Sequence, residues 1–163
     1  MLIIFDSSTL ILLAKVELLK ETVRHLEVVI PREVEGESTV KNTFDAKLIK
    51  KLIEDGKIRV AKVRGTREKK KLKDDFNIGE GEVSALLLAK DKGSPLATDD
   101  GPTIKACKIL DVKFATAIHF LIGTYENGIL SKDMALAKLE KLEKYGRYSS
   151  RIIDDASRRI KGG

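Results

Sequence analysis

Apolar residues recur along the chain in two rhythms. Leu2 to Phe5 is an unbroken apolar run that stops at Asp6, which suits a strand covered on both faces, as in a parallel sheet between helices. From Thr9 the rhythm changes. Leu10, Leu13, Val16 and Leu19, then Val23 and Leu26, return every three or four residues and predict one helix over 9–26. Val28 to Ile30 reads as a second buried strand closed by Pro31. Arg32 to Ser38 reads as a helix, because proline is tolerated in a first turn and Glu33 and Glu35 suit its positive end. Another helix is predicted behind Asn42 or Thr43, with Phe44, Leu48, Leu52 and Ile53 as its stripe and Gly56 at its end. Alternation over Ile58 to Val63 is that of a half-exposed strand.

Residues 65–75 are basic, nearly free of apolar positions, and read as a connector. Gly79-Glu80-Gly81-Glu82 then opens a helix over 83–90 that is apolar almost all round and therefore central. Pro95 to Thr98 is a short strand ending on Asp99 and Asp100. Gly101-Pro102 starts a helix with Ile104, Cys107 and Leu110 behind it, and Val112 to Ala115 is the last strand. Helices follow over 117–125, 131–145, where Met134, Leu136, Leu139 and Leu142 form the stripe, and 149–160. Four or five strands alternating with helices predict an α/β fold with a parallel sheet. One domain over 1–163 is expected, with a core near 1–120 and C-terminal helices near 117–161 that either complete the core or form a dimer surface.

Composition narrows the class. An apolar share of 42% with 34% charged residues belongs to a globular protein, and no stretch approaches the roughly 18 to 20 apolar residues that span a bilayer. The first apolar run has no basic region before it and breaks at Asp6, so a cytoplasmic protein is expected. One cysteine, Cys107, excludes an internal disulfide and reads as a small core residue. Two histidines leave no zinc constellation. The net charge of +6 is unevenly spread: Lys57 to Lys73 holds Arg64, Arg67, Lys69, Lys70, Lys71 and Lys73 among its bases, opposed only by Glu68. That density suits a phosphate backbone, the plainer reading being a solvated loop.

Acids stand at the structural transitions: Asp6, Glu37, Glu82 with Glu80, and Asp99 with Asp100. In a parallel sheet, strand ends and the helix starts that follow share one edge, so Asp6, the Glu80/Glu82 pair and the Asp99/Asp100 pair should converge, with Glu37 joining from a neighbouring helix. Asp6 alone reads equally well as a helix cap. Like charges brought together call for a compensating cation or proton, and an oxygen-only set calls for Mg²⁺ or Mn²⁺. With no group placed for covalent catalysis, the chemistry expected is metal-assisted hydrolysis of a phosphodiester.

Asp6-Ser7-Ser8 after the strand, Ile-Pro-x-x-Val-x-x-Glu over 30–37, Gly-Glu-x-Glu before an Ala/Leu helix over 79–89, and Leu-x-Thr-Asp-Asp over 96–100 resemble PIN-domain nucleases in order and spacing. The nearest likeness is to VapC-like and predicted nucleic-acid-binding PIN proteins of prokaryotes. The resemblance implies a Rossmann-like α/β/α sandwich, Mg²⁺ or Mn²⁺ dependence and cleavage of single-stranded RNA. It also implies a possible antitoxin partner and homodimerisation. By position, Asp6, Glu37, Glu82 and Asp99 or Asp100 take the catalytic and metal-binding places. Glu80 competes with Glu82, and Gly101-Pro102 replaces the more usual charged residues after the Asp pair. A haloacid-dehalogenase phosphatase would need an acid where Ser8 stands. A receiver domain would need its phosphorylatable Asp at the end of a central strand, earlier than the strand that carries Asp99. The rival from another class is a non-catalytic nucleic-acid-binding or protein-interaction PIN-like module.

Overall fold

Residues 1–162 are described by a computed structural model. The elements run β1 (Leu2–Phe5), α1 (Ser7–Lys15), α2 (Leu19–His25), β2 (Glu27–Pro31), α3 (Arg32–Thr39), α4 (Phe44–Glu54), β3 (Ile58–Ala61), α5 (Thr66–Phe76), α6 (Glu80–Lys92), β4 (Leu96–Ala97), α7 (Gly101–Leu110), β5 (Phe114–Ala115), α8 (Ala117–Glu126), α9 (Lys132–Tyr145) and α10 (Ser150–Gly162). The five strands form a parallel sheet in the order β3-β2-β1-β4-β5. β1 lies at its centre, where Ile4 stands opposite Val29 on one side and Leu96 on the other.

The two-residue period of the strands sorts side chains into layers. Ile3, Phe5, Val28 and Ile30 pack with Leu10, Leu13 and Val34 on one face. Ile4, Val29 and Leu96 pack with Ala85, Leu86 and Cys107 on the other. Both faces of β1 are thus covered, which is why its sequence is apolar without alternation. The result is the expected α/β/α sandwich. Leu121, Leu139, Leu142, Ile153 and Ile160 belong to the first core, Phe120 stacks on Phe5 at 5.3 Å, and Tyr125 donates to the Ile160 carbonyl at 3.0 Å. The C-terminal helices therefore complete the core. Among the described residues no helix is long and apolar enough to cross a membrane.

Three expectations are corrected. The helix read over 9–26 is two, broken at Glu17, whose φ is +60°. Leu18 N bonds back to the Leu13 carbonyl at 2.9 Å, a left-handed wrap that ends a helix. The buried Lys138 ammonium of α9 donates to the Val16 and Glu17 carbonyls at 3.3 and 2.9 Å, while Lys141 reaches the Glu17 carboxylate at 2.9 Å. Distant lysines thus satisfy a turn that local periodicity conceals. Second, the connector over 65–75 is helix α5. Its Arg, Glu and Lys residues are good helix formers, Leu72 and Phe76 supply one apolar pair four apart, and Lys71 pairs with Asp75 at 3.4 Å. Third, Phe44 is 68% exposed and Met134 52%, so neither lies in its helix's buried stripe. α4 buries Ala46, Ile49 and Leu52; at about 100° per residue, Phe44 stands well round the helix from them.

Candidate functional site

The chain runs outward from β1 through β2 to β3 and returns to β4 on the other side of β1, so the strand order reverses between β1 and β4. The carboxyl ends of strands flanking such a reversal form the crevice where open α/β sheets bind ligands. Asp6 follows β1 there. It caps α1 through Thr9 N (3.3 Å), and Ser8 Oγ donates to the same oxygen at 2.6 Å while Thr98 Oγ1 donates to the other. Capping and placement in the site are thus the same fact. Asp6 is fully buried. Burial drives its carboxyl up to about 7 against the pull of Ser8, Thr98 and Thr9, and the Glu82 charge pushes the same way.

Glu82 lies in the first turn of α6 and is half-buried. Its carboxyl is raised by burial first, then by the charges of Glu37 and Asp100. Glu37 arrives from the end of α3, accepts from Ser7 Oγ at 2.5 Å, and lays its carboxylate over Gly81. A Cβ on Gly81 would stand 1.9 Å from Glu37 Oε1, so only glycine lets the two helices present their acids this closely. Asp100 caps α7 through Thr103 N at 3.1 Å and Thr103 Oγ1 at 2.6 Å. The charges that raise Asp6 and Glu82 come from the neighbouring acids Glu82, Glu37 and Asp100. Oxygen donors carrying excess negative charge, with no thiol or imidazole among them, fit a hard divalent cation in chemistry. They are not gathered at ligand spacing: among the described residues no group of three or more His, Cys, Asp or Glu could hold a metal ion.

Residues 2–161 match the profile of a family described as "DUF3368: PIN domain". The chain belongs to the PIN-domain family. No curated protein matches it. A solved structure with a similar backbone course is the crystal structure of VapBC2 from Rickettsia felis bound to a DNA fragment from their promoter, with a TM-score of 0.49 and 12% identity, covering 71% of this chain and 98% of that one.

In this PIN domain the adjacent acids part company. Asp99 Oδ1 accepts from Thr9 Oγ1 at 2.6 Å and from Ala117 N at 3.0 Å, and Oδ2 accepts from the Tyr148 hydroxyl. Asp100, not Asp99, is the charge felt by Glu82. Glu80 turns outward to Lys73 on α5. A surface groove of about 390 Å³ between α5 and the start of α6 is lined by Lys69, Lys70, Lys73 and Glu80. A wider one of about 510 Å³, lined by Phe76, Pro102, Lys105 and Ile109, touches none of the clustered acids. The acids, being tied to hydroxyls at the sheet edge, define the site better than either hollow does.

The PIN domain's basic residues divide as well. Arg64, Arg67 and Lys70 are exposed and form no ion pair among the described residues, whereas Lys71 pairs with Asp75 and Lys73 with Glu80. Lys69 is committed inward: its ammonium donates to Glu33 at 3.0 Å and to the Val63 carbonyl at 2.6 Å, and Ser84 Oγ donates to the same Glu33 oxygen at 2.8 Å. Burial acts against the Glu33 carboxylate, but Lys69 and Ser84 outweigh it and hold Glu33 below the usual carboxylate range. Sequence reasoning missed this tie of α5 to α3 and α6. The available signal was Glu33 four residues before Glu37, on the same face of α3.

Proposed function

We propose that this PIN domain is a metal-dependent endoribonuclease that hydrolyses single-stranded RNA, with Asp6, Glu37, Glu82 and Asp100 as the acid set that holds Mg²⁺ or Mn²⁺. The observation that carries the reading is four carboxylates brought to the sheet's reversal point, where the charges of Glu37 and Asp100 act on Glu82 and that of Glu82 acts on Asp6. When bound, the ion supplies an acidified water and relief of charge on the phosphoryl oxygens. The chain's own groups do the rest. Ser8, Thr98 and Thr9 fix the Asp6 carboxyl, Ser7 fixes Glu37 and Thr103 fixes Asp100. Arg64, Arg67 and Lys70 on and before α5 offer unpaired charge to the strand's phosphates. Glu80 and Asp99 take no part as ligands in this reading. The resemblance to VapC-like proteins extends it to a homodimeric cytoplasmic toxin neutralised by an antitoxin, which the adjacent reading frame would test.

The second reading, a nucleic-acid-binding module without catalysis, is favoured by the missing ligand spacing among the acids. One experiment separates the two. Single-stranded RNA is incubated with protein and Mn²⁺, with EDTA and Asp6→Asn as controls. Cleavage abolished by both controls supports the nuclease. Tight binding with no metal-dependent cleavage refutes it and leaves the module.

A further inference from the structure

Tyr148 lies in the turn between α9 and α10, 49 residues from Asp99 in sequence yet bonded to it. The turn is shaped for it. Gly146 has extended backbone, and a Cβ there would stand 2.8 Å from the Leu142 carbonyl and 2.9 Å from Cε2 of Tyr148. Only glycine leaves room for the ring to fold back. The ring packs against the first core, and the hydroxyl accepts from Ile118 N at 3.2 Å while donating to Asp99 Oδ2. Burial first, and then the Asp99 charge, hold the phenol in its protonated, donating form.

Asp99 is in turn the middle of a three-residue loop that the site depends on. Its amide donates to Ser8 Oγ at 2.9 Å, the hydroxyl that also serves Asp6, and Thr98 before it serves the other oxygen of Asp6. Asp100 after it is the acid that bears on Glu82. Thr9 of α1, Ala117 at the start of α8 and Tyr148 of the tail therefore grip one carboxylate from three sides, and that grip sets where the neighbours on either side point. We propose that Tyr148 is a positioning residue of the acid site, acting through Asp99, so that the C-terminal helices form part of the functional unit. The inference rests on the metal-dependent reading above.

Mn²⁺ binding to the full chain, followed by titration calorimetry, tests this without cleavage. Tyr148→Phe keeps the ring and removes the donor. Its Mn²⁺ affinity is expected to fall about tenfold, the scale of one hydrogen bond to a charged group. Its kcat should fall, while its KM for RNA and its RNA affinity in EDTA stay unchanged. Thr9→Val, which removes a second donor to Asp99, should weaken Mn²⁺ likewise, so that a poorly folding Tyr148→Phe does not decide the matter. The double variant Tyr148→Phe/Asp99→Asn should bind Mn²⁺ no worse than Asp99→Asn alone. Unchanged or tighter Mn²⁺ binding in a folded Tyr148→Phe, or in Thr9→Val where Tyr148→Phe does not fold, or additive losses in the double, overturns the proposal. A wild-type chain that binds Mn²⁺ without cutting RNA refutes the nuclease and leaves this proposal to the affinity comparison. A wild-type chain that binds no Mn²⁺ refutes both.

Discussion

Replacing Asp6 by Asn gives the sharpest test of the buried charge at the site, which desolvation disfavours first and the Glu82 charge adds to. The Asp6 carboxyl moves from an ordinary 3.8 to about 7 on folding. At 1.36 kcal/mol per tenfold step, the charged form costs about 4 kcal/mol of stability once the pH exceeds both values. The sign follows from proton counting: between these two values the folded chain holds a proton that the unfolded chain has lost, so stability falls as pH rises through that window and is flat above it. Asp6→Asn removes the charge but exchanges one accepting oxygen for an amide, at a cost of about 1 kcal/mol. The Thr98 hydroxyl can rotate to accept from that amide. In EDTA at pH 8 the variant should therefore be more stable than wild type by about 2 to 3 kcal/mol. The advantage should shrink by a similar amount at pH 5 and reverse below pH 4. Urea unfolding of both proteins from pH 3 to 8 measures it, and titrating groups that do not interact with Asp6 cancel in the difference. Parallel stability curves for the two proteins over that range would refute the raised Asp6 carboxyl. Mn²⁺ at a thousandfold excess over Kd should reverse the order, because mass action then stabilises wild type by about 4.1 kcal/mol.

Gly81→Ala should abolish metal-dependent cleavage and lower Tm, since the new Cβ falls 1.9 Å from Glu37 Oε1; a Tm at or above wild type, the usual outcome of Gly to Ala in a helix, would mean that Glu37 moves away freely. Lys138→Met should cost about 1 to 3 kcal/mol in urea unfolding, because the Val16 and Glu17 carbonyls lose their buried donor. Arg64→Gln/Arg67→Gln/Lys70→Gln should reduce the slope of log affinity for single-stranded RNA against log salt by about 2 without changing Tm. Lys69→Gln should instead lower Tm, because it leaves Glu33 half-buried without its ion pair; filter binding and thermal melts distinguish the two variants.

Much of the site was readable where a single residue marks a change of structure. The apolar run ending at Asp6 is a strand end whatever surrounds it, and Pro31 and Gly79 announce the helix starts that carry Glu37 and Glu82. What escaped was decided at long range. Asp99 and Asp100 are adjacent and chemically identical; only Thr9, Ala117 and Tyr148, at three separate places in the chain, turn one away from Glu82. Lys69 looks like its neighbours Lys70 and Lys71 until α3 and α6 deliver Glu33 and Ser84 to it. α5 escaped because its charged surface hides a single buried residue, Leu72. The break at Glu17 escaped because Val16 and Leu19 keep helical spacing across it.

The hydroxyls beside the acids explain how this chain tolerates so much like charge. Ser7 serves Glu37, Ser8 and Thr98 serve Asp6, Thr9 serves Asp99 and Thr103 serves Asp100, and among the described residues no buried side-chain nitrogen or oxygen lacks a partner. A hydroxyl stabilises a carboxylate without adding charge, so it holds the acids in place yet leaves their mutual repulsion intact. A lysine in the same place would neutralise the site and compete with any cation. Neutral donors therefore keep the pocket folded and still negative, the state in which binding a divalent ion relieves the most repulsion. Glu33 shows the contrast one helical turn away: paired with Lys69, its charge is neutralised, and it holds α5 in register rather than adding to the pocket's charge.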